Sequence, residues 1–179
     1  MKTRREFLQG LIISVGGASA LSACGDAATV VATTAGDGGR FYSADEMALI
    51  TRISDLVIPR TETPGALDAN VPGYLDALMS DWASAETQNS HREALQLISQ
   101  RLDNLSGSFI TTSETEAAAA LSELDSDAFG GDNSLSGYRS LKGYITQSYF
   151  ATEAGATEEL KWVAVPGRWD PSIDISTGD

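Results

Sequence analysis

The sequence predicts a mainly α protein: a single domain of about five helices over 41–179, preceded by a leader (1–23) and a flexible tether (24–40), and finished by an extended aromatic C-terminal segment. Three observations predict it. Large apolar side chains recur at three- and four-residue spacing through most of the chain after Phe41, the period of one helix face. Two Ser-x-x-Glu boxes stand just ahead of such runs, at Ser43–Glu46 and Ser113–Glu116, where serine and glutamate satisfy each other's free amides. Pro59 and Gly107 fall where two of the runs end, as helix-stopping residues should.

The elements follow in order. Leu49, Ile50, Ile53, Leu56 and Val57 give the stripe of a first helix that opens at Ser43 and stops at Pro59. Arg60–Gly65, with Pro64, is turn-rich. A second helix starts near Pro72, a residue suited to a first turn, and runs to about Trp82 with Tyr74, Leu75, Leu78 and Met79 on one side. A third carries His91, Ala94, Leu95, Ile98, Leu102 and Leu105; Ser84 and Ser90 both qualify as its cap, and Gly107 closes it. The alanine-rich stretch Glu114–Leu124 is a fourth, followed by an expected loop from Asp125 to Ser136. A fifth spans about Gly137 to Ala151, with Leu141, Ile145 and Tyr149 on one face. Trp162–Val165 reads as a short strand or extended piece.

The first 23 residues read as an address. Arg4 and Arg5 are followed by Phe7 and Leu8, then by a mild apolar run, Leu11 to Ala23. A basic start, a short apolar middle and a small-residue end are the parts of an export signal, and the paired arginines resemble the twin-arginine type. A membrane-spanning anchor fits poorly, since about 13 residues at about 1.5 Å each reach roughly 20 Å of a hydrocarbon core of about 30 Å. Leu21–Ser22–Ala23–Cys24 resembles a lipobox, which would make Cys24 a lipidated N-terminus; cleavage after Ala18–Ser19–Ala20 is the alternative. Cys24 is the sole cysteine, so no intramolecular disulfide can form. The tether, Gly25 to Arg40, is Ala, Thr and Gly with few large side chains and lacks the apolar surface to order itself.

Charge narrows the partners. The formal net charge is −13; residues 1–23 carry Lys2, Arg4, Arg5 and Glu6, a net of +2, so the remainder stands near −15. Nucleic acid is thereby excluded, because phosphate contact needs a basic surface. Anionic lipid headgroups are equally unsuited, so membrane association would come through a lipid anchor or a complex.

The residues offer little chemistry. There is one histidine, His91, and it lies on an apolar stripe. Asp125–Ser126–Asp127 begins like a calcium loop, but Phe129 and Ser136 stand at ligand positions, which disqualifies it. The Gly36–Gly39 run lacks dinucleotide-loop spacing. Neither catalytic, cofactor-binding nor metal-ligating residues are expected on this chain. An aromatic set near the C-terminus is more informative: Tyr144, Tyr149, Phe150, Trp162, Arg168 and Trp169. Trp, Tyr and Arg are the residues of interface hot spots, and aromatics equally close a domain's own core. Tyr149, Phe150, Trp162, Arg168 and Trp169 are therefore the candidate partner interface.

Two stretches carry a resemblance. Ile53–Ala66, continuing to Val71–Pro72, and Tyr138–Gly143 with Tyr149–Thr157 and Val165–Asp170 resemble the two ends of the gluconate 2-dehydrogenase subunit 3 family, and the likeness covers most of 41–170. The resemblance implies a small, non-catalytic subunit of a periplasmic, FAD-dependent sugar, sugar-alcohol or sugar-acid dehydrogenase. It implies that FAD sits on a glucose–methanol–choline type partner, that a multihaem cytochrome c can complete the complex, and that the small subunit escorts the flavoprotein through the twin-arginine translocase. The alternative is a stand-alone periplasmic lipoprotein that binds a small ligand or another protein.

Overall fold

The computed structural model describes residues 39–162. Among them are five α-helices, a 3-10 turn and a π-helical turn, and no strand. The leader, Cys24 and nearly all of the tether lie outside the described residues, as do Arg168, Trp169 and most of the expected extended segment.

Helix α1 (Ala44–Val57) opens with the expected capping box: the Ser43 amide donates to Glu46 Oε2 at 2.8 Å and the Glu46 amide to Ser43 Oγ at 3.3 Å. It buries Leu49, Ile50 and Ile53. Ile58 ends it by donating its amide to the Ser54 carbonyl, one residue before Pro59 removes the next donor. Helix α2 (Val71–Asp81) has Pro72 in its first turn and buries Leu75 and Met79. Helix α3 (Ala85–Ser106) is capped by Ser84, whose hydroxyl accepts from the Thr87 amide at 3.2 Å, which settles the two-serine ambiguity. Gly107, at φ 78°, ends it, a left-handed region that glycine occupies without steric cost. Leu105 stays 41% exposed, so the buried stripe stops at Leu102.

Helix α4 (Glu114–Phe129) corrects the reading of Asp125–Ser136 as a loop. Its stripe continues from Leu124 to the buried Ala128, and the polar residues between remain helical because they have partners. Asp125 accepts from the Tyr138 hydroxyl at 2.9 Å and pairs with Lys142, while Asp127 meets Arg101. A 3-10 turn, Asn133–Leu135, leads into α5 (Ser136–Phe150), which buries Tyr138, Leu141, Ile145 and Tyr149. The chain then makes the π turn Ala154–Glu159, which helical periodicity does not predict. Helices α3, α4 and α5 pack on one another, and α2 lies against α1 and α5.

The ordered body starts earlier than Phe41. Asp76 of α2, 6% exposed, accepts three consecutive backbone amides: Arg40 at 2.8 Å, Phe41 at 2.9 Å and Tyr42 at 3.0 Å. Gly39 lies so close that a Cβ there would stand 2.1 Å from Asp76 Oδ1. The Arg40 guanidinium adds a bond to each carboxylate oxygen of Asp81. Gly39 and Arg40, read as tether, are thus fastened to the body.

Asp76→Ala should cost about 3 kcal/mol or more, because it strands amides that a charged acceptor now satisfies. Asp76→Asn should cost less. Urea unfolding at constant slope measures both.

Candidate functional site

Two places on the surface combine geometry with chemistry. The first joins distant parts of the chain. The Tyr149 hydroxyl donates to the Pro64 carbonyl at 2.6 Å, and Thr63 Oγ1 donates to Glu159 Oε2 at 2.8 Å. The turn-rich loop after α1 is thereby bonded to the end of α5 and to the π turn. Arg60 and Asp68 pair within that loop, and the Gly65 amide donates to Asp68 at 2.8 Å. Gly155 lets the π turn fold back on α5, since a Cβ there would lie 2.3 Å from the Tyr149 carbonyl oxygen. Around this junction Phe150 is 39% exposed, Leu160 57% and Trp162 60%.

Of the five candidate interface residues, the structure divides the three it describes. Tyr149 is 1% exposed and lies in the core. Its ring packs edge-on against Phe150, with centroids 5.2 Å apart. Phe150 and Trp162 face solvent.

The second place is a groove of about 560 Å³ between the first halves of α3 and α5. Its apolar wall includes Ala94 and Leu97, its rim carries Glu86, Glu93 and Ser140, and His91 reaches it from below. Helices α3 and α5 touch closely here, a Cβ on Gly137 standing 2.3 Å from that of Ala94. His91 is 5% exposed. Its Nε2 shares a 2.8 Å hydrogen bond with the Tyr42 hydroxyl, and Tyr144 meets the ring edge-on with centroids 6.1 Å apart.

Electrostatics around His91 favour a neutral, structural ring. Burial pushes its pKa down to about 4; Glu46 opposes this and Arg92 adds to it. Burial also raises the Tyr42 phenol, helped by Asp76 and Glu46, so the pair remains uncharged at neutral pH. Arg92 bonds Glu46 and the Phe41 carbonyl and lies 4.1 Å from the Phe41 ring centroid. Burial alone would raise the Glu46 carboxyl, but the Ser43 amide and hydroxyl, with Arg92, bring it below its ordinary value.

Among the described residues, no group of three His, Cys, Asp or Glu side chains is placed to hold a metal ion. None of the described helices is long and apolar enough to cross a membrane. Sequence reasoning missed Asp76 and the groove. An acid beside Leu75 on an otherwise apolar face was the available signal for Asp76. The groove had none, because its rim joins residues about 50 positions apart on two helices.

The fold and these surfaces define a small helical protein whose definable features are surfaces and internal clamps. Comparison with known proteins makes this specific. The profile of the gluconate 2-dehydrogenase subunit 3 family matches residues 44–167, and the chain belongs to that family. No curated protein and no solved structure matches it. The match takes in both the Pro64 loop and the Tyr149–Glu159 segment, so the junction between them lies within the family region.

The His91 shift has a definite sign. Its folded pKa, about 4, lies below the ordinary 6.5, so between those values the unfolded chain binds the extra proton. Stability from the neutral ring is full above pH 6.5 and erodes as pH falls toward 4, by up to about 3 kcal/mol. Unfolding free energy measured across that window should fall more steeply for the native chain than for His91→Gln.

Proposed function

We propose that this chain is the non-catalytic small subunit of a membrane-associated, FAD-dependent dehydrogenase that oxidises sugars or sugar acids. It binds and stabilises a flavoprotein subunit of the glucose–methanol–choline type and escorts it through the twin-arginine pathway to the periplasm. The observation that carries the reading is the family match over 44–167. Catalysis belongs to the partner: FAD sits there, and haem, in complexes that contain it, on a cytochrome c subunit.

The leader supports the escort role. Arg4, Arg5, Phe7 and Leu8 form a signal of the type that moves folded cargo. A flavoprotein that takes up FAD in the cytoplasm has to cross already folded, and a signal on a tightly bound companion serves both chains. Cys24, lipidated at the mature N-terminus, tethers the complex to a membrane. The 14 residues between it and Gly39 would span roughly 19–22 Å as a flexible coil.

The exposed aromatics at the junction suit a partner. Phe150, Leu160 and Trp162 present apolar area beside a loop pinned by Tyr149 and Glu159, and rigid apolar anchors bind at low entropic cost.

Replacing Arg4 and Arg5 together by lysine should leave both this chain and its flavoprotein in the cytoplasm. Fractionation followed by dye-linked dehydrogenase activity in each compartment measures it. Normal flavoprotein activity in the periplasm of the double variant would contradict the escort role.

A further inference from the structure

The groove between α3 and α5 carries carboxylates on one wall. Apart from Lys161, every arginine and lysine in 39–162 is engaged by an acceptor of the same chain. Arg40, Arg60, Arg92, Arg101 and Lys142 meet carboxylates. Arg52 donates to the carbonyls of Ile110 and Thr112, and Arg139 to those of Ala128 and Asp132. The acids are not matched in the same way. Among the described residues, no cation lies within ion-pair distance of Glu86 or Glu93. Both stand on the groove side of α3, seven residues apart, or about 10.5 Å along the axis.

The opposite wall is built for close approach. Ser136, Gly137, Ser140 and Gly143 follow one another along α5, and a second concavity of about 420 Å³ continues from the first, sharing Ser136, Ser140 and Tyr144 with it. In the floor, His91 is 95% buried, with Nε2 held by Tyr42. The trough therefore offers an apolar wall, a small-residue wall and two carboxylates without an ion-pair partner among the described residues.

We infer that this groove seats a basic, amphipathic segment of the catalytic subunit, with lysine or arginine side chains about two helical turns apart reaching Glu86 and Glu93. The inference rests on the proposed pairing with a flavoprotein and adds where the two chains meet and by what chemistry. An amphipathic helix laid in a groove is a recurrent mode of recognition, and opposite charges at its rim guide encounter and register. The face is separate from the Pro64–Tyr149 junction, so the partner is held at two places on this body.

The test uses the full chain co-expressed with the glucose–methanol–choline type flavoprotein of the same cells and affinity-purified through a tag on the small subunit. Glu86→Lys/Glu93→Lys should reduce retained flavoprotein at least about tenfold, since like charges then face each other. Ser140→Trp, which fills the groove without altering charge, should do the same. Both variants should melt within about 2 °C of the native chain, the shift expected of exposed changes. Glu114→Lys/Glu123→Lys, an equal charge change on the exposed side of α4, should leave retention unchanged. If the reversal proves unstable, Glu86→Gln/Glu93→Gln decides, and should weaken both retention and its dependence on salt. Native retention with undiminished binding by folded groove variants overturns the groove alone. A native subunit that retains no flavoprotein overturns the pairing itself, and the groove with it.

Discussion

The rest of the body is arranged around one carboxylate. Asp76 gathers the amides of Arg40, Phe41 and Tyr42, and so fixes the backbone just ahead of α1. Three donors converging on one buried charged acceptor form a strong local clamp, because charge-assisted bonds are about twice as strong as neutral ones. With the backbone held, Phe41 and Tyr42 are set into the core and Tyr42 reaches His91 on α3. Arg92, next along α3, ties back to Glu46 and the Phe41 carbonyl. One acid on α2 thus positions the start of α1 against α3.

The same economy recurs elsewhere. Arg52 on α1 binds carbonyls of the α3–α4 connection and stacks near Phe109, with its guanidinium carbon 5.6 Å from the ring centroid. Arg139 on α5 binds carbonyls at the α4–α5 turn. Arg139 satisfies a carbonyl in the last turn of α4, where helical carbonyls lack intrahelical partners, and Arg52 satisfies carbonyls of a connecting loop. The consequence is electrostatic. Basic groups are largely engaged within the body while acids remain outside, and a surface of that kind is suited to a basic polypeptide and poorly suited to nucleic acid.

Much of the fold was legible in the sequence because its signals were local. Ser43–Glu46 and Ser113–Glu116 predicted helix starts that the structure reproduces, and the stripes of α1 and α5 predicted their buried faces. Pro59, Gly107 and Pro72 marked ends and starts for steric reasons that need no tertiary information. The failures were non-local. Asp125–Ser126–Asp127 looks like a loop until Tyr138, Lys142 and Arg101 are brought to it by packing. The π turn after α5 depends on Gly155 meeting the Tyr149 carbonyl, a contact between chain segments that periodicity does not encode. Tyr149 and Phe150 are neighbours in sequence, and only the packed structure separates the buried ring from the exposed one. The candidate site divided along the same line: composition pointed to the aromatic end of the chain, while its pairing with Pro64, 85 residues earlier, came from tertiary structure.

The proposed role makes this helical body one half of a flavin-bearing complex. The most direct measurement is the mass and flavin content of the tagged full-length protein, extracted gently from the cells that make it and sized in solution. The expected result is a single species in which this chain and a larger polypeptide are equimolar, with one FAD per pair. Recovery of the chain as a flavin-free monomer, with the flavoprotein in a separate fraction, would contradict it.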